Sequence, residues 1–507
     1  MAKISLSKYF SEIYNDAEVP KFKVLVDGKW IDTKNGCDLI SPLDGKKIAE
    51  ISSANEEELK KAVSSAKANQ SKIRDMAAID RLELINSIRL ELGKHVDELV
   101  NILVNESGKS INSARGEINA ALERMRLSME DSKKVYGEYL PGDWSSDTSQ
   151  KMALVIREPI GVVLGVSPFN YPVYTSVAKI VPALLAGNSV VLKPPSADPV
   201  AFLMCAEIFR KCGVPSGTLQ VVTCDGETAG KYLIRNDDIN MISFTGSTSV
   251  GKEISQTAGL KKLHLELGGK GTAIVLEDAD IELAAKECVK GSLELSGQRC
   301  DAISRILVVK KAKDALEKKL VAHLKDYTLG NPSDDNKVSM GPVINEKSAI
   351  RIDGLIKDAL KHGAKLVAGG KFDRAYYEPT LLTDVPLDSR IAEEETFGPV
   401  ITVITCSSEE EAISIANKSQ YGLDSCVFTQ NFYSAWKIMK SLQVGNVTLN
   451  AAPSHGTAYF PFGGVKNSGQ GKEGVGYSLE EMTVIKTVIF NLSPAGLGKI
   501  YKGLFKD

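Results

Sequence analysis

The sequence predicts an α/β protein with two units, each built on a parallel β-sheet, together with a small β-strand arm. Short β-rich runs alternate with helical segments between residues 161 and 244, and a second alternating set begins at residue 271. Strand–helix alternation is typical of parallel sheets that are covered by helices on both faces. The length of 507 residues suits two large units, since a domain usually has about 100–200 residues.

The elements of the first unit follow in chain order. Residues 22–32 predict a hairpin with Asp27 and Gly28 in its turn, and residues 56–72 and 76–132 show helical periodicity. The strands of the first sheet are predicted at GVVLGV (161–166), NSVVLKP (188–194), LQVVT (219–223) and INMISF (239–244). The helices between them are expected around residues 173–186, 198–212 and 226–235.

The second unit begins after the glycine-rich turn LGGKGT (267–272). Its strands are predicted at GTAIVLE (271–277), AISRILVV (302–309), VITVITC (400–406) and LDSCVFT (423–429). Two more alternating runs, 152–159 and 483–492, predict strands far from either sheet. Such strands can pair with a neighbouring chain, so we expect oligomerisation.

The composition excludes several classes of protein. Hydrophobic residues make up 43% and charged residues 25%, as in ordinary globular domains. The net charge of −2 gives no basic field for nucleic acid or anionic membranes. No run reaches the roughly 18 apolar residues of a spanning helix, and the start lacks a signal-peptide core, so we expect a cytoplasmic protein. The spacing of the 8 cysteines and 5 histidines predicts no metal site.

A candidate anion site lies in FTGSTSVGKE (244–253), where Gly246 and Ser247 follow a predicted strand and open a helix. Free N–H groups and the helix dipole favour anions there. With Lys252 the run nearly completes a phosphate loop, but Glu253 replaces the hydroxyl that holds Mg²⁺. This disfavours a kinase or ATPase, and an ordinary tight turn remains the alternative.

Two further stretches place polar groups after strands. Lys193 ends a predicted strand, where open α/β sheets bind ligands, so it could meet a nucleotide hydroxyl or phosphate; a solvated lysine is the alternative. Asn170 lies between prolines in SPFNYPV (167–173). A rigidly held amide can donate to an oxyanion, whereas a turn asparagine is the commoner use.

Two groups suited to acyl chemistry lie further along the chain. Glu266 precedes the Gly-Gly turn of LELGGKG (265–271), where a carboxylate can act as a general base; a surface glutamate is the alternative. Cys300 lies in a polar loop beside Arg299. A cation favours the thiolate, so Cys300 is a candidate nucleophile, with a structural cysteine as the alternative.

Together these stretches resemble the aldehyde dehydrogenase superfamily over nearly the whole chain, and its non-phosphorylating glyceraldehyde-3-phosphate dehydrogenase branch in particular. The matching strings, in order, are PFNYP, LKPPS, FTGST, LELGGK, GQRC, EEETFGP and PFGGVKNSG. The resemblance implies two α/β domains with Rossmann-type sheets and a β oligomerisation arm. The implied division is a dinucleotide-binding domain at 1–134 and 160–267, a catalytic domain at 268–482, and an arm with C-terminal tail at 135–159 and 483–507.

The resemblance also implies roles for the catalytic candidates. Cys300 attacks the aldehyde, Asn170 and the backbone N–H of Cys300 hold the oxyanion, and Glu266 activates the water that hydrolyses the thioester. The presence of Glu266 argues against relatives that acylate coenzyme A, because these lack that base. The implied product is a free acid.

The resemblance implies a nicotinamide dinucleotide cofactor. The implied contacts are Lys193, Ser196, Phe169, Gly246, Ser247, Glu395 and Phe397. Many NAD-preferring members carry a glutamate where this chain has Ser196. A carboxylate repels a 2′-phosphate and a serine can donate to it, so we expect NADP, with NAD as the alternative.

The resemblance to the glyceraldehyde-3-phosphate branch implies an anionic substrate, which Arg299 would suit. The other implied contacts are Tyr174, Thr175, Lys134 and His455, of which the last two stand where an arginine is expected and lack its bidentate fork. The expected reaction is oxidation of glyceraldehyde 3-phosphate to 3-phosphoglycerate without inorganic phosphate, by a dimer or tetramer. Lactaldehyde, succinate semialdehyde and a catalytically silent relative are the alternatives.

Overall fold

The computed structural model describes residue 4 and residues 6–15, 17–134, 137–333, 337–454, 456–457 and 459–492. The helices are α1 Glu56–Arg74, α2 Ala78–Lys94, α3 Val96–Ser107, α4 Ile111–Ser132, α5 Pro172–Leu185, α6 Val200–Lys211, α7 Gly226–Ala229, α8 Thr248–Thr257, α9 Ile281–Leu293, α10 Lys313–Leu324, α11 Glu346–Lys361, α12 Arg390–Glu393, α13 Glu409–Lys418, α14 Phe432–Ser441 and α15 Ser478–Glu481. A π-helical turn, Gly230–Ile234, continues α7, and 3₁₀ turns form at Lys8–Phe10 and Glu294–Gly297. Within these ranges, none of the helices combines the length and apolar character that crossing a membrane requires.

The strands are β1 Lys21–Phe22, β2 Val24–Val26, β3 Lys29–Ile31, β4 Asn35–Ile40, β5 Lys47–Ser53, β6 Glu138–Pro141, β7 Lys151–Pro159, β8 Val162–Val166, β9 Ser189–Lys193, β10 Leu219–Val221, β11 Met241–Thr245, β12 Lys262–Glu266, β13 Gly271–Val275, β14 Ile303–Val309, β15 Lys365–Ala368, β16 Phe372–Asp373, β17 Tyr376–Tyr377, β18 Thr380–Thr383, β19 Val400–Cys406, β20 Tyr421–Gly422, β21 Asp424–Phe428, β22 Asn446–Leu449, β23 Val465–Lys466, β24 Gly469–Gln470 and β25 Thr483–Asn491. All of the strands predicted from the sequence are present.

Two large sheets organise the chain. The first has eight strands in the order β24-β12-β11-β8-β9-β10-β2-β3, and its five central strands are parallel. The second has seven strands in the order β15-β18-β19-β14-β13-β21-β22, and all of them except β15 run parallel. The chain passes from one sheet to the other between Glu266 and Gly271. The predicted α/β class is confirmed.

Helices cover both faces of each large sheet. Neighbouring residues of a strand point to opposite faces. In the first sheet, Val163 and Leu192 pack in a buried cluster with α2 to α6, while Leu164 and Val191 pack on the other face with α1 and α8. The second sheet packs against α9 and α10 on one face and against α11, α13 and α14 on the other. These cores explain the near-continuous apolar strands of the sequence.

The long helical segment predicted at 76–132 is divided into three helices, and the first break falls at His95, between α2 and α3. Gly108 adopts a left-handed conformation, with φ of 72°, and ends α3. Ser110 then accepts a hydrogen bond from the N–H of Ser113 and begins α4. These capping groups interrupt a periodicity that continues on both sides of the break. The hairpin prediction is confirmed: β2 and β3 are antiparallel, and Asp27 and Gly28 have φ of 53° and 73°.

A smaller antiparallel sheet, in the order β25-β7-β6, shares no strand with the large sheets. Strands β7 and β25 pair along their whole lengths, from Lys151 opposite Asn491 to Pro159 opposite Thr483. The two late strand predictions are therefore neighbours in space. Apolar side chains on this sheet are exposed, including Tyr139, Ile485 and Ile489.

Candidate active site

A cavity of about 730 Å³ lies at the carboxyl ends of the parallel strands β8, β9, β11 and β12. The predicted catalytic and cofactor-binding residues all line it: Cys300, Glu266, Asn170, Lys193, Ser196, Phe169, Gly246, Ser247, Glu395 and Phe397. Parallel strands bring their carboxyl ends to one edge, which is where open α/β sheets bind ligands. Tertiary structure thus collects in one cavity groups that are far apart in sequence.

Glu266 is the last residue of β12, and its side chain is buried beside the cavity. Neither carboxylate oxygen has a hydrogen-bond partner among the described residues. Burial raises the pKa of the Glu266 carboxyl, while His264 and Lys179 counteract part of that rise. A buried carboxylate without donors is a strong proton acceptor, which suits a general base.

Cys300 follows the 3₁₀ turn Glu294–Gly297, in which Leu295 and Ser296 adopt positive φ values of 54° and 55°. The chain passes very close to the Gly-Gly turn here, since a Cβ on Gly269 would lie 2.4 Å from the carbonyl oxygen of Cys300. Glycine is therefore required at position 269 for this approach. Burial raises the pKa of the Cys300 thiol well above its ordinary value, so the resting group is the thiol.

Asn170 lies in the loop between β8 and α5 and is buried. Pro172 occupies the first turn of α5, where a proline costs no backbone hydrogen bond. The neighbouring Phe169 packs edge-on against Phe397, with ring centroids 5.6 Å apart. This contact joins the Asn170 loop to the loop that carries Glu395.

The remaining wall of the cavity fits a dinucleotide. Ser247 caps α8 and lies at its N-terminus, a position that favours phosphate. Nζ of Lys193 lies 3.4 Å from Oγ of Ser196, and burial lowers the pKa of that lysine. The carboxylate of Glu395 accepts a hydrogen bond of 3.0 Å from the N–H of Gly269, and carboxylates commonly bind ribose hydroxyls.

The guanidinium group of Arg299 is hydrogen-bonded to two carboxylates. Its Nη1 donates to Glu294 at 2.6 Å, and its Nε and Nη2 donate to the two oxygens of Asp301 at 3.0 and 2.7 Å. Arg299 lowers the pKa of the Cys300 thiol, as its position predicts, but burial and the negative charge of Asp301 outweigh it, so the pKa is raised overall. Asp301 thus neutralises much of the positive charge of Arg299 next to the thiol.

The described substrate-binding candidates do not line the cavity. The hydroxyl of Tyr174 on α5 is buried and has no hydrogen-bond partner in the described part of the chain. The hydroxyl of Thr175 donates to the carbonyl of Tyr171. Lys134 is exposed just after α4, and His455 lies outside the described residues. Their roles in substrate binding stay predictions.

The sequence interpretation missed two groups next to Glu266. His264 lies two residues earlier on β12, with its Nε2 3.4 Å from Oε1 of Glu266, and Glu481 on α15 contacts its other ring nitrogen. The alternation of a strand could have placed His264 on the face of Glu266.

Lys231 and Arg235 also line the cavity, and the sequence interpretation did not single them out. Among the described residues, no group of His, Cys, Asp and Glu is arranged to hold a metal.

Comparison with known proteins defines the class: residues 30–488 match the aldehyde dehydrogenase family, and the chain belongs to this family. It is 40% identical over 474 residues to the NADP-dependent glyceraldehyde-3-phosphate dehydrogenase of Streptococcus equinus, covering 93% of this chain and 99% of that protein. It is 35% identical to a lactaldehyde dehydrogenase of Methanococcus maripaludis, covering 92% and 100%. The crystal structure of NADP-dependent glyceraldehyde-3-phosphate dehydrogenase from Bacillus halodurans, complexed with NADP, superposes with a TM-score of 0.91 at 38% identity, covering 93% of this chain and 99% of that one.

Proposed function

We propose that this aldehyde dehydrogenase oxidises glyceraldehyde 3-phosphate to 3-phosphoglycerate with NADP and without inorganic phosphate. The observation that carries the proposal is the convergence of Cys300, Asn170 and Glu266 on one cavity of about 730 Å³. The 40% identity to a relative of that activity supports the choice of substrate. An intact set of these three groups argues against a catalytically silent protein.

The first half of the proposed reaction forms a thioester. Sγ of Cys300 releases its proton to solvent water and bonds to the aldehyde carbon, and the carbonyl oxygen becomes an oxyanion. The amide of Asn170 and the backbone N–H of Cys300 donate hydrogen bonds to that oxyanion. Loss of hydride from the aldehyde carbon then restores the carbonyl group and leaves the thioester. The nicotinamide, when bound, supplies the hydride acceptor for the oxidation. Lys193, Ser247 and Glu395 would hold the dinucleotide.

The second half releases the acid. Glu266 takes a proton from water, and the resulting hydroxide adds to the thioester carbon. The carbon–sulfur bond then breaks, and Cys300 leaves as the thiolate. A buried carboxylate without hydrogen-bond donors suits this role, because it gains most from accepting a proton.

The preference for NADP rests on the charge around Ser196. No carboxylate occupies position 196, so a 2′-phosphate beside Lys193 meets no repulsion there. Lys231 and Arg235 add positive charge to the lining of the same cavity, which also includes Glu227 and Glu253. A relative of 38% identity binds NADP. NAD remains the alternative cofactor.

An uncharged 2-hydroxyaldehyde such as lactaldehyde is the second candidate substrate. One observation favours it: Arg299, the cation nearest in sequence to the nucleophile, is neutralised by Asp301 and Glu294. A substrate phosphate would have to compete with these carboxylates. The lactaldehyde dehydrogenase relative, at 35% identity, agrees with such a substrate.

We also propose that the eight-stranded sheet belongs to a dinucleotide-binding domain, the seven-stranded sheet to a catalytic domain, and the β25-β7-β6 sheet to an oligomerisation arm. The exposed Tyr139, Ile485 and Ile489 on the arm suit contact with a second copy. Light scattering of the purified protein tests the assembly. A monomer at micromolar concentration would refute it.

The test of the proposed reaction is a spectrophotometric assay of nicotinamide reduction without inorganic phosphate. Glyceraldehyde 3-phosphate, lactaldehyde and succinate semialdehyde are compared, each with NADP and with NAD. The proposal expects the highest kcat/KM for the phosphorylated triose with NADP. A higher kcat/KM for lactaldehyde would favour the second candidate. No turnover of any aldehyde, with a Cys300→Ala variant as the blank, would refute the enzymatic role.

A further inference from the structure

A buried histidine stands beside Glu266 and has no part in the reaction proposed above. His264 lies two residues before Glu266 on β12, so both side chains project from the same face of the strand. Nε2 of His264 lies 3.4 Å from Oε1 of Glu266. This distance suits an ion pair better than a hydrogen bond, and neither atom has a hydrogen-bond partner within the described residues.

The other side of the imidazole contacts a second carboxylate. Nδ1 of His264 lies 2.5 Å from Oε2 of Glu481. The backbone N–H of Lys472 donates to the other oxygen of Glu481 at 3.0 Å, which fixes that carboxylate. The Glu481 side chain is 23% exposed, whereas those of His264 and Glu266 are each 5% exposed. The imidazole therefore connects a buried carboxylate to one near the surface.

The glycine that follows strand β24 leaves room for the contact between His264 and Glu481. Gly471 follows β24 with φ of +93°, and a Cβ there would lie 2.8 Å from Nδ1 of His264 and 2.9 Å from Oε1 of Glu481. A side chain at position 471 would displace both groups. The absence of a side chain allows the histidine and the glutamate to meet.

The charges around the pair favour an imidazolium. Burial lowers the pKa of His264, but Glu266 and Glu481 outweigh this effect and raise it to about 9. The other charged groups that act on the pair and on Glu266 are Lys179, Lys262, Lys472 and Glu473. Glu473 opposes ionisation of Glu266, and Lys179 favours it.

Lys179 is less able than His264 to stabilise the Glu266 carboxylate by direct contact. Nζ of Lys179 donates to the hydroxyls of Ser243 and Thr245, at 3.3 and 2.8 Å. In the described part of the chain, no lysine or arginine forms an ion pair with Glu266, and His264 is the partner within 4 Å. An opposite charge at this distance favours the ionised carboxylate.

We propose that His264, held as an imidazolium by Glu481, is a positioning residue that keeps Glu266 ionised and ready to accept a proton from water. The inference rests on the proposed role of Glu266 as the base. The ion pair would let hydrolysis of the thioester proceed at lower pH than a buried, unpaired glutamate would allow. Formation of the thioester does not involve Glu266 and is not affected.

The test compares His264→Gln with the unaltered protein in rapid-mixing assays of nicotinamide reduction from pH 5.5 to 9. The burst that reports thioester formation is expected to be unchanged. The acid limb of the steady-state rate is expected to move about one pH unit higher or more, since an opposite charge shifts a pKa by about 1–3 units. At pH 6 the steady state should fall about tenfold. His362→Gln, at the exposed C-terminal end of α11, is the matched control and should leave the profile unchanged.

A second measurement does not depend on activity. Ring-¹⁵N NMR of the holoprotein should show one histidine, absent from the spectrum of His264→Gln, that titrates at about 9. In Glu481→Gln this titration should move to lower pH, and the acid limb of the steady state should move to higher pH. Because Glu481 is partly exposed, this variant keeps the test available if His264→Gln does not fold.

The outcomes separate the inference from the proposed function. An unchanged acid limb in both variants, or a His264 titration near its ordinary value of about 6.5, would overturn the role of His264. Glu266→Gln is measured in parallel. If it retains steady-state turnover, the proposed role of Glu266 fails as well; if it stalls after the burst while His264→Gln behaves like the unaltered protein, the inference alone fails.

Discussion

Arg299 donates two hydrogen bonds to the carboxylate of Asp301, at 3.0 and 2.7 Å, and the two residues flank Cys300 in the sequence. This bidentate pair is the strongest geometry available to an arginine and a carboxylate. It ties together the two sides of the loop that presents the thiol. The positive charge before Cys300 is therefore part of the loop structure and does not act as a free cation.

Removing Arg299 should destabilise the protein. In Arg299→Gln, the Asp301 side chain, which is 6% exposed, would be left as a buried unpaired charge. We expect the free energy of unfolding to fall by about 3–5 kcal/mol, measured by urea denaturation. The double variant Arg299→Gln/Asp301→Asn should recover much of the loss. Arg115→Gln breaks the exposed pair with Asp97 and should change stability by about 0–1 kcal/mol; equal losses in the two single variants would contradict this account.

Removing the proposed base should stop the reaction after its first half. Glu266→Ala should give a burst of reduced nicotinamide of normal amplitude, followed by a steady state about 10²–10⁴-fold slower, because no group activates water. Stopped-flow absorbance measures both phases. Asn170→Ala is the informative comparison, since it should slow the burst itself through loss of an oxyanion donor. Full steady-state turnover by Glu266→Ala would remove this residue from its proposed role.

A negative charge at position 196 should change the cofactor preference. In Ser196→Glu, the new carboxylate would stand near the proposed 2′-phosphate and Lys193, 3.4 Å from the serine hydroxyl in the unaltered protein. We expect kcat/KM with NADP to fall by about tenfold or more relative to NAD, since like charges a few ångströms apart repel. Ser64→Glu, on the exposed side of α1, controls for added charge. An unchanged ratio of the two cofactors would contradict the proposed role of Ser196.

The thiol of Cys300 should react slowly at neutral pH. Burial and the charge of Asp301 raise its pKa well above the ordinary value, and the thiolate is the reactive form. Alkylation by iodoacetamide, followed by mass spectrometry of the Cys300 peptide, should therefore keep rising beyond pH 9. An ordinary cysteine is half ionised near pH 8.5. A rate that is already maximal at pH 7 in the protein without cofactor would show that the thiolate is the resting form.

Much of the fold follows from local pattern. The strands β8, β9 and β11 are short apolar runs that end at polar or glycine-rich turns, and the structure forms them where the sequence predicts them. The helical segment at 76–132 is less well predicted, because Gly108 and Ser110 divide it through caps that leave the apolar periodicity intact. The turn at 27–28 is predictable from its Asp-Gly pair, in which Gly28 has a positive φ. The turn at 267–272 is predictable from its glycines, at which neighbouring atoms leave no room for a Cβ.

The sequence by itself determined the α/β class, the membership of the aldehyde dehydrogenase family and the catalytic and cofactor-binding candidates that line the cavity, because short motifs at strand ends carry this information. Only the tertiary structure decided which charges pair. His264 and Glu481 are 217 positions apart in the chain, and they meet because α15 and the segment after β24 pack beside β12. Likewise, folding of the loop around Cys300 directs Arg299 to Asp301 and Glu294. Which charges pair depends on their distance in space and on their burial, and the order of residues in the sequence gives neither.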